Sequence, residues 1–156
     1  MIVLNALEKA RACIKLISEP KSVILAADTL VVTKDQVLGK PTNEEDIILM
    51  MHLLSGKTHQ VITGFCLYSP FYGEYSEHVI TAVSFRHLSK QEIRDYAKTK
   101  DPYGKSGSYA IQGLASLFVE RINGSYTNIM GLPIESCLKA LEKFTDISIY
   151  QWCMRF

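Results

Sequence analysis

Three short polar stretches of this 156-residue chain hold residue types that can do chemistry, and each falls at the end of an apolar run. In "AADTLVV", Asp28 and Thr29 interrupt a strand-forming sequence. A carboxylate held rigidly at a strand tip can bind a divalent cation or take a proton from water. The plain alternative is an aspartate in a strand-to-strand bend. In "LGKP", Gly39 allows close backbone approach, and Lys40 adds a positive charge beside the start of the helix that follows. That is an anion-binding arrangement, although a solvated lysine in a surface turn would read the same, and the acids at 44–46 compete for that terminus. In "GKSGSYAIQG", the useful groups are Lys105, backbone amides freed by Gly107, and Gln112, expected at a strand start. A glutamine amide carries both a donor and an acceptor, which suits the edge of a nucleobase. The stretch lacks the G-x-x-x-x-G-K-[ST] spacing of a P-loop and does not run into a helix.

Other chemistries find little support. His52, His59, His78 and His87 form no H-x-x-x-H or H-E-x-x-H pattern, which argues against zinc. Ser106, Ser108 and Ser116 lack a G-x-S-x-G elbow. The four cysteines, Cys13, Cys66, Cys137 and Cys153, are widely spaced and read as reduced thiols. A formal charge of +1 offers no footprint for nucleic acid or an anionic membrane, while leaving room for a small basic pocket. No apolar run approaches a membrane span, and the N-terminus does not read as a signal peptide, so a cytoplasmic address is expected.

The length fits a single domain, 1–156. Leu4, Leu7, Ala10, Ile14 and Ile17 predict a helix over 2–18. Residues 22–27 and 29–34 read as two short strands, with a hairpin turn between Val32 and Leu38. A helix capped by Thr42 or Asn43 is expected over 42–55, ended by Gly56. Two strands follow, joined by the turn-rich stretch 69–75, and then a helix with Ser89 as N-cap and Glu92 in capping-box position. A loop, a strand over "LASLFVERI", a turn at "NGSY" and a last helix over "PIESCLKALEKF" complete the order. The tail with Trp152 reads as an edge strand or docking segment. This order predicts an α/β protein with a mixed sheet.

Taken in order, "AADTLV", "LGKP", "LLSGKTHQVITG" and "GKSGSYAIQGLASLFVERINGSYTNIMGLPI" resemble the Maf family of nucleoside triphosphate pyrophosphatases over about residues 6–143. The resemblance implies an elongated, bent mixed sheet with flanking helices and a central cleft, related to the inosine triphosphate pyrophosphatases. It implies cleavage between the α- and β-phosphates, a divalent metal (Mg²⁺ or Mn²⁺) and a homodimer. By residue, it implies that Asp28 is the catalytic base and a metal ligand. Lys40 and Lys105 would bind phosphate, as would Lys9, which matches the lysine of the family's A-x-x-K-A helix. Thr29 and Gln112 match positions that set base preference. "YAIQG" resembles the branch acting on dTTP and UTP, where an amide can pair with both N3–H and a carbonyl of thymine or uracil.

The resemblance also implies an opening strand with an S-x-S-P-R-R motif that this sequence does not contain, and an aspartate where Gly104 stands. The chain is therefore expected to be N-terminally truncated relative to the family, with 144–156 a divergent tail. These departures motivate the alternative of a non-catalytic nucleotide-binding or regulatory protein.

Overall fold

Strand-forming residues in long runs dictate the centre of the fold. The computed structural model describes residues 1–16 and 18–154, of which 152 and 153 are described as backbone only. Strands β3 (Thr58–Ser69) and β4 (Gly73–Phe85) form a hairpin in continuous register from Thr58↔Ser84 to Ser69↔Gly73. Strand β1 (Ile24–Val32) runs antiparallel to β3, and the order is β2-β1-β3-β4-β5, with β2 at Val37–Leu38 and β5 at Val119–Asn123. The expected α/β class holds. Every strand pair is antiparallel, so the parallel strand that a mixed sheet requires is not among the described residues.

The two strands expected around Asp28 are one. β1 passes straight through the aspartate, which pairs with Gly64 of β3, so the carboxylate sits in mid-strand and not at a strand tip or bend. Side chains leave a strand through its faces, and at Asp28 that face is the one α1 crosses. The short β2 covers only Val31 and Val32, so among the described residues Ile24–Leu30 have no strand on their outer side.

Side-chain alternation divides the sheet into two faces. On one face, Val31, Val61, Val83 and Phe85 pack under α2 (Glu44–Leu54) and α3 (Lys90–Ala97). Further along that face, Phe65 and Leu67 pack under Cys137 and Ala140 of α5 (Ile134–Thr145). On the other face α1 (Ile2–Ala12) lays Ala6, Leu7 and Ala10 against Cys66, Ile24 and Ala26. Burial along β3 records this change: it alternates over 58–62 and is continuous over 63–67, where helices cover both faces. Both capped helices form as expected, Asn43 accepting from the Asp46 amide and Ser89 closing a capping box with Glu92.

Several local expectations are corrected. The first helix stops at Ala12, followed by a 3₁₀ turn over Ile14–Leu16; Leu4 is exposed, and Ile17 lies outside the described residues. "LASLF" is a 3₁₀ segment, and the strand begins only at Val119, so Gln112 occupies an exposed turn and not a strand start. "YTNI" forms a short helix, α4 (Tyr126–Ile129), that the turn signal concealed. The tail is a helix, α6 (Ile149–Cys153), and not an edge strand; the Trp152 side chain lies outside the described residues.

Candidate active site

Asp28 projects from β1 toward α1, whose residues 5 and 9 lie one helical turn apart on the same side. Asn5 Nδ2 donates to Asp28 Oδ2 at 2.9 Å, and Lys9 Nζ donates to Oδ1 at 2.6 Å. The same ammonium donates to the Ala27 carbonyl at 3.0 Å. The Asp28 side chain is 21% exposed. Partial burial pushes its carboxyl pKa up, but the hydrogen bonds from Lys9 and Asn5 and the charges of Lys9 and Lys40 outweigh that, and the pKa lies below its ordinary value.

A cavity of about 410 Å³ opens at this edge of the sheet. Lys9, Asp28, Thr29, Lys40, Lys105 and Gln112, expected as site residues from four separate stretches, all line it. Three lysines and one aspartate make the lining net cationic, although the chain as a whole is almost neutral. Among the described residues no side chain pairs with Lys40, whereas the Lys105 ammonium folds back onto the Asp101 carbonyl.

The walls of the cleft are fixed by buried polar contacts. Thr29 points to the opposite face from Asp28, where its hydroxyl oxygen lies 2.9 Å from Thr63 Oγ1 and 3.4 Å from the Gly131 carbonyl, its single proton serving one of the two. Thr63 donates to the Asn128 carbonyl, and the fully buried Asn128 amide donates to Val61 and Thr81, tying the Met130–Gly131 wall to the sheet. On the other side, Gly107 adopts φ +69° against Val31, where a Cβ would lie 2.8 Å from the valine side chain. Its amide donates to the Gly39 carbonyl, joining the Lys105 loop to the Lys40 loop. Behind them, buried His59 is paired through Nε2 with the Tyr109 hydroxyl at 2.8 Å, which holds the loop leading to Gln112.

Asn5 is the site residue that sequence reading missed. Its signal is the i, i+4 spacing to Lys9 in "NALEK", which is also the spacing of an ordinary helical surface. A divalent ion fits here in one way only. Among the described residues no three His, Cys, Asp or Glu side chains converge on a metal site, and Asp28 is the one carboxylate lining the cleft. Mg²⁺ commonly takes one or two carboxylates and completes its shell with substrate phosphates and water. The donor set therefore suits an ion carried in with a polyphosphate and does not suit a resident one.

An α/β domain with a cationic cleft around a single carboxylate is built to receive a phosphorylated small molecule. More specifically, the chain belongs to the Maf-like protein family, which it matches over residues 1–144. It is 44% identical over 146 residues to the dTTP/UTP pyrophosphatase of Clostridium perfringens (strain SM101), covering 90% of this chain and 73% of that one. It is 41% identical over 138 residues to the dTTP/UTP pyrophosphatase of Desulforamulus reducens, covering 88% and 72%. With that of Bacillus cereus it shares 40% identity over 149 residues, covering 92% and 73%.

Proposed function

We propose that this protein is a nucleoside triphosphate pyrophosphatase that hydrolyses dTTP and UTP to the monophosphate and pyrophosphate. The observation that carries this reading is the gathering of Asp28 with Lys9, Lys40 and Lys105 around one cleft, in a chain whose relatives bear that activity in their names. Lys40, Lys105 and Lys9 hold the triphosphate and offset the charge that develops on it. Asp28 takes a proton from a water molecule as the water oxygen attacks the α-phosphorus, and the bond to the β-phosphate oxygen breaks to release pyrophosphate. A divalent ion, held by Asp28 and the substrate's own phosphates, would neutralise charge on those phosphates. Gln112, exposed at the cleft, supplies the donor and acceptor that a thymine or uracil edge requires. Thr29 shapes the wall beside it, its hydroxyl already engaged by Thr63 and Gly131. The working form is a homodimer, which sedimentation of the purified chain checks.

The test is pyrophosphate release from dTTP and UTP in the presence of Mg²⁺. Wild-type turnover and a loss of about 10²–10⁴-fold in Asp28→Asn are expected. Turnover that survives Asp28→Asn removes the aspartate from its role. Nucleotide that raises the melting temperature without any turnover supports the non-catalytic binding reading instead.

A further inference from the structure

Lys105 and Gln112 belong to one loop, which runs from the end of α3 to the 3₁₀ segment Leu114–Phe118. The two ends of this loop meet at a single side chain. The Asp101 carboxylate sits against Gly113 in the space a side chain would fill: a Cβ there would lie 2.6 Å from Oδ2 and 2.8 Å from Cγ. The φ of Gly113 is −95°, which does not call for glycine, so the carboxylate and not the backbone conformation keeps a side chain out. The hydroxyl oxygen of Tyr96, a buried residue of α3, lies 2.9 Å from the Ser108 carbonyl and 3.2 Å from Asp101 Oδ2, with one proton for the two. The Asp101 amide donates to Thr99 Oγ1 at 3.3 Å, which fixes the residue to the end of α3. Asp101 does not line the cleft, and among the described residues it forms no ion pair.

Gln112 occupies the turn Ala110–Gly113, closed by the Gly113 amide donating to the Ala110 carbonyl at 3.1 Å. Turning a glutamine amide over exchanges its donor and acceptor. Thymine and uracil present N3–H beside a carbonyl, whereas cytosine presents an N3 acceptor beside an amino group. A loosely held glutamine therefore reads both patterns. Resting on the reading of Gln112 as the amide that recognises the base, we propose that Asp101 is a positioning residue for base selection. By filling the hollow at Gly113 it holds the Gln112 turn where the amide distinguishes thymine and uracil from cytosine. Lys105 meets Asp101 only through the main-chain carbonyl, which every substitution at 101 retains, so phosphate binding lies outside this role.

Calorimetry with non-hydrolysable analogues of dTTP and dCTP tests this without turnover. Wild type is expected to prefer the dTTP analogue, and Asp101→Ala to lose about tenfold of that preference, the order of one neutral hydrogen bond. Affinity for inorganic tripolyphosphate should be unchanged. Asp101→Asn, which keeps the shape and an oxygen for Tyr96, should retain the preference. Gly113→Ala competes for the carboxylate's space and should lose it. Combined with Asp101→Ala, the same glycine change should cost nothing more, because that space is then empty. If Asp101→Ala does not fold, Asp101→Asn and Gly113→Ala make the comparison by themselves. A preference unchanged in Gly113→Ala and in any folded Asp101→Ala, or an equal loss of tripolyphosphate affinity, overturns the proposal. A wild type without preference overturns the reading of Gln112 and this proposal together, and pyrophosphate release by wild type decides the hydrolase reading separately.

Discussion

Gly64 lies directly opposite Asp28 across the β1–β3 ladder and directly beneath the backbone of Val3 in α1. A Cβ at residue 64 would come within 2.8 Å of the Val3 amide nitrogen and 2.9 Å of the Ile2 carbonyl carbon. The missing side chain is what lets α1 settle on the sheet close enough for Asn5 and Lys9 to reach the carboxylate.

Gly64→Ala is therefore expected to cost both stability and function. The clash is with backbone, which cannot swing aside, so α1 must lift. Overpacking of this kind costs about 1–3 kcal/mol, measurable by urea unfolding. Turnover should fall by more than the unfolded fraction accounts for, since Asn5 and Lys9 move with the helix. An alanine variant with wild-type kinetics would mean that α1 does not position them.

Lys40 and Lys105 are expected to differ. Lys40 has no partner among the described residues and points its charge at the cleft, whereas Lys105 is bonded to the Asp101 carbonyl within its own loop. Lys40→Ala should raise KM for dTTP roughly tenfold or more, the order of a charge-assisted contact, with little change in melting temperature. Lys105→Ala should lower the melting temperature as well as turnover. Steady-state kinetics beside thermal unfolding separate the two.

Metal and nucleotide should bind together. One carboxylate in the cleft predicts that Mg²⁺ alone leaves the melting temperature unchanged. With a non-hydrolysable dTTP analogue present, Mg²⁺ should raise it as the ligand-bound state fills. A shift with metal alone would reveal a resident ion site.

Acid should weaken the fold through His59. Burial between Phe85 and Tyr109 lowers its pKa from 6.5 to about 4. The unfolded chain therefore binds a proton between pH 6.5 and 4 that the folded chain refuses, and stability falls as pH falls through that window. A difference of that size corresponds to about 3 kcal/mol. His59→Phe leaves the Tyr109 hydroxyl without its partner, so it should be less stable at pH 7. It should also lose part of the wild-type slope between pH 6.5 and 4, as read from denaturation midpoints across pH.

Much of this protein is legible in its chain because local chemistry decides it. The capping box at Ser89–Glu92, the cap at Asn43 and the β3–β4 hairpin need only neighbouring residues, and each forms where expected. Lys40 and Lys105 as cations and Asp28 as a carboxylate stand out by type and setting before any contact is known, and all three line one cleft. What the chain alone misjudged depends on distant partners. In the sequence Asp28 reads as a break between strands, because no local pattern reveals that α1 lies overhead with an amide and an ammonium to satisfy a carboxylate in mid-strand. The apolar run "LASLF" reads as strand and puts Gln112 at its start, whereas Ala115 and Phe118 are buried in the core, Phe118 edge-on to Tyr96 of α3, and the segment is 3₁₀. Residue types and their order thus determined which groups this protein has for chemistry. Long-range packing decided which of them meet, because a carboxylate, three lysines and an amide drawn from separate stretches share a cleft only once a helix lies across the sheet.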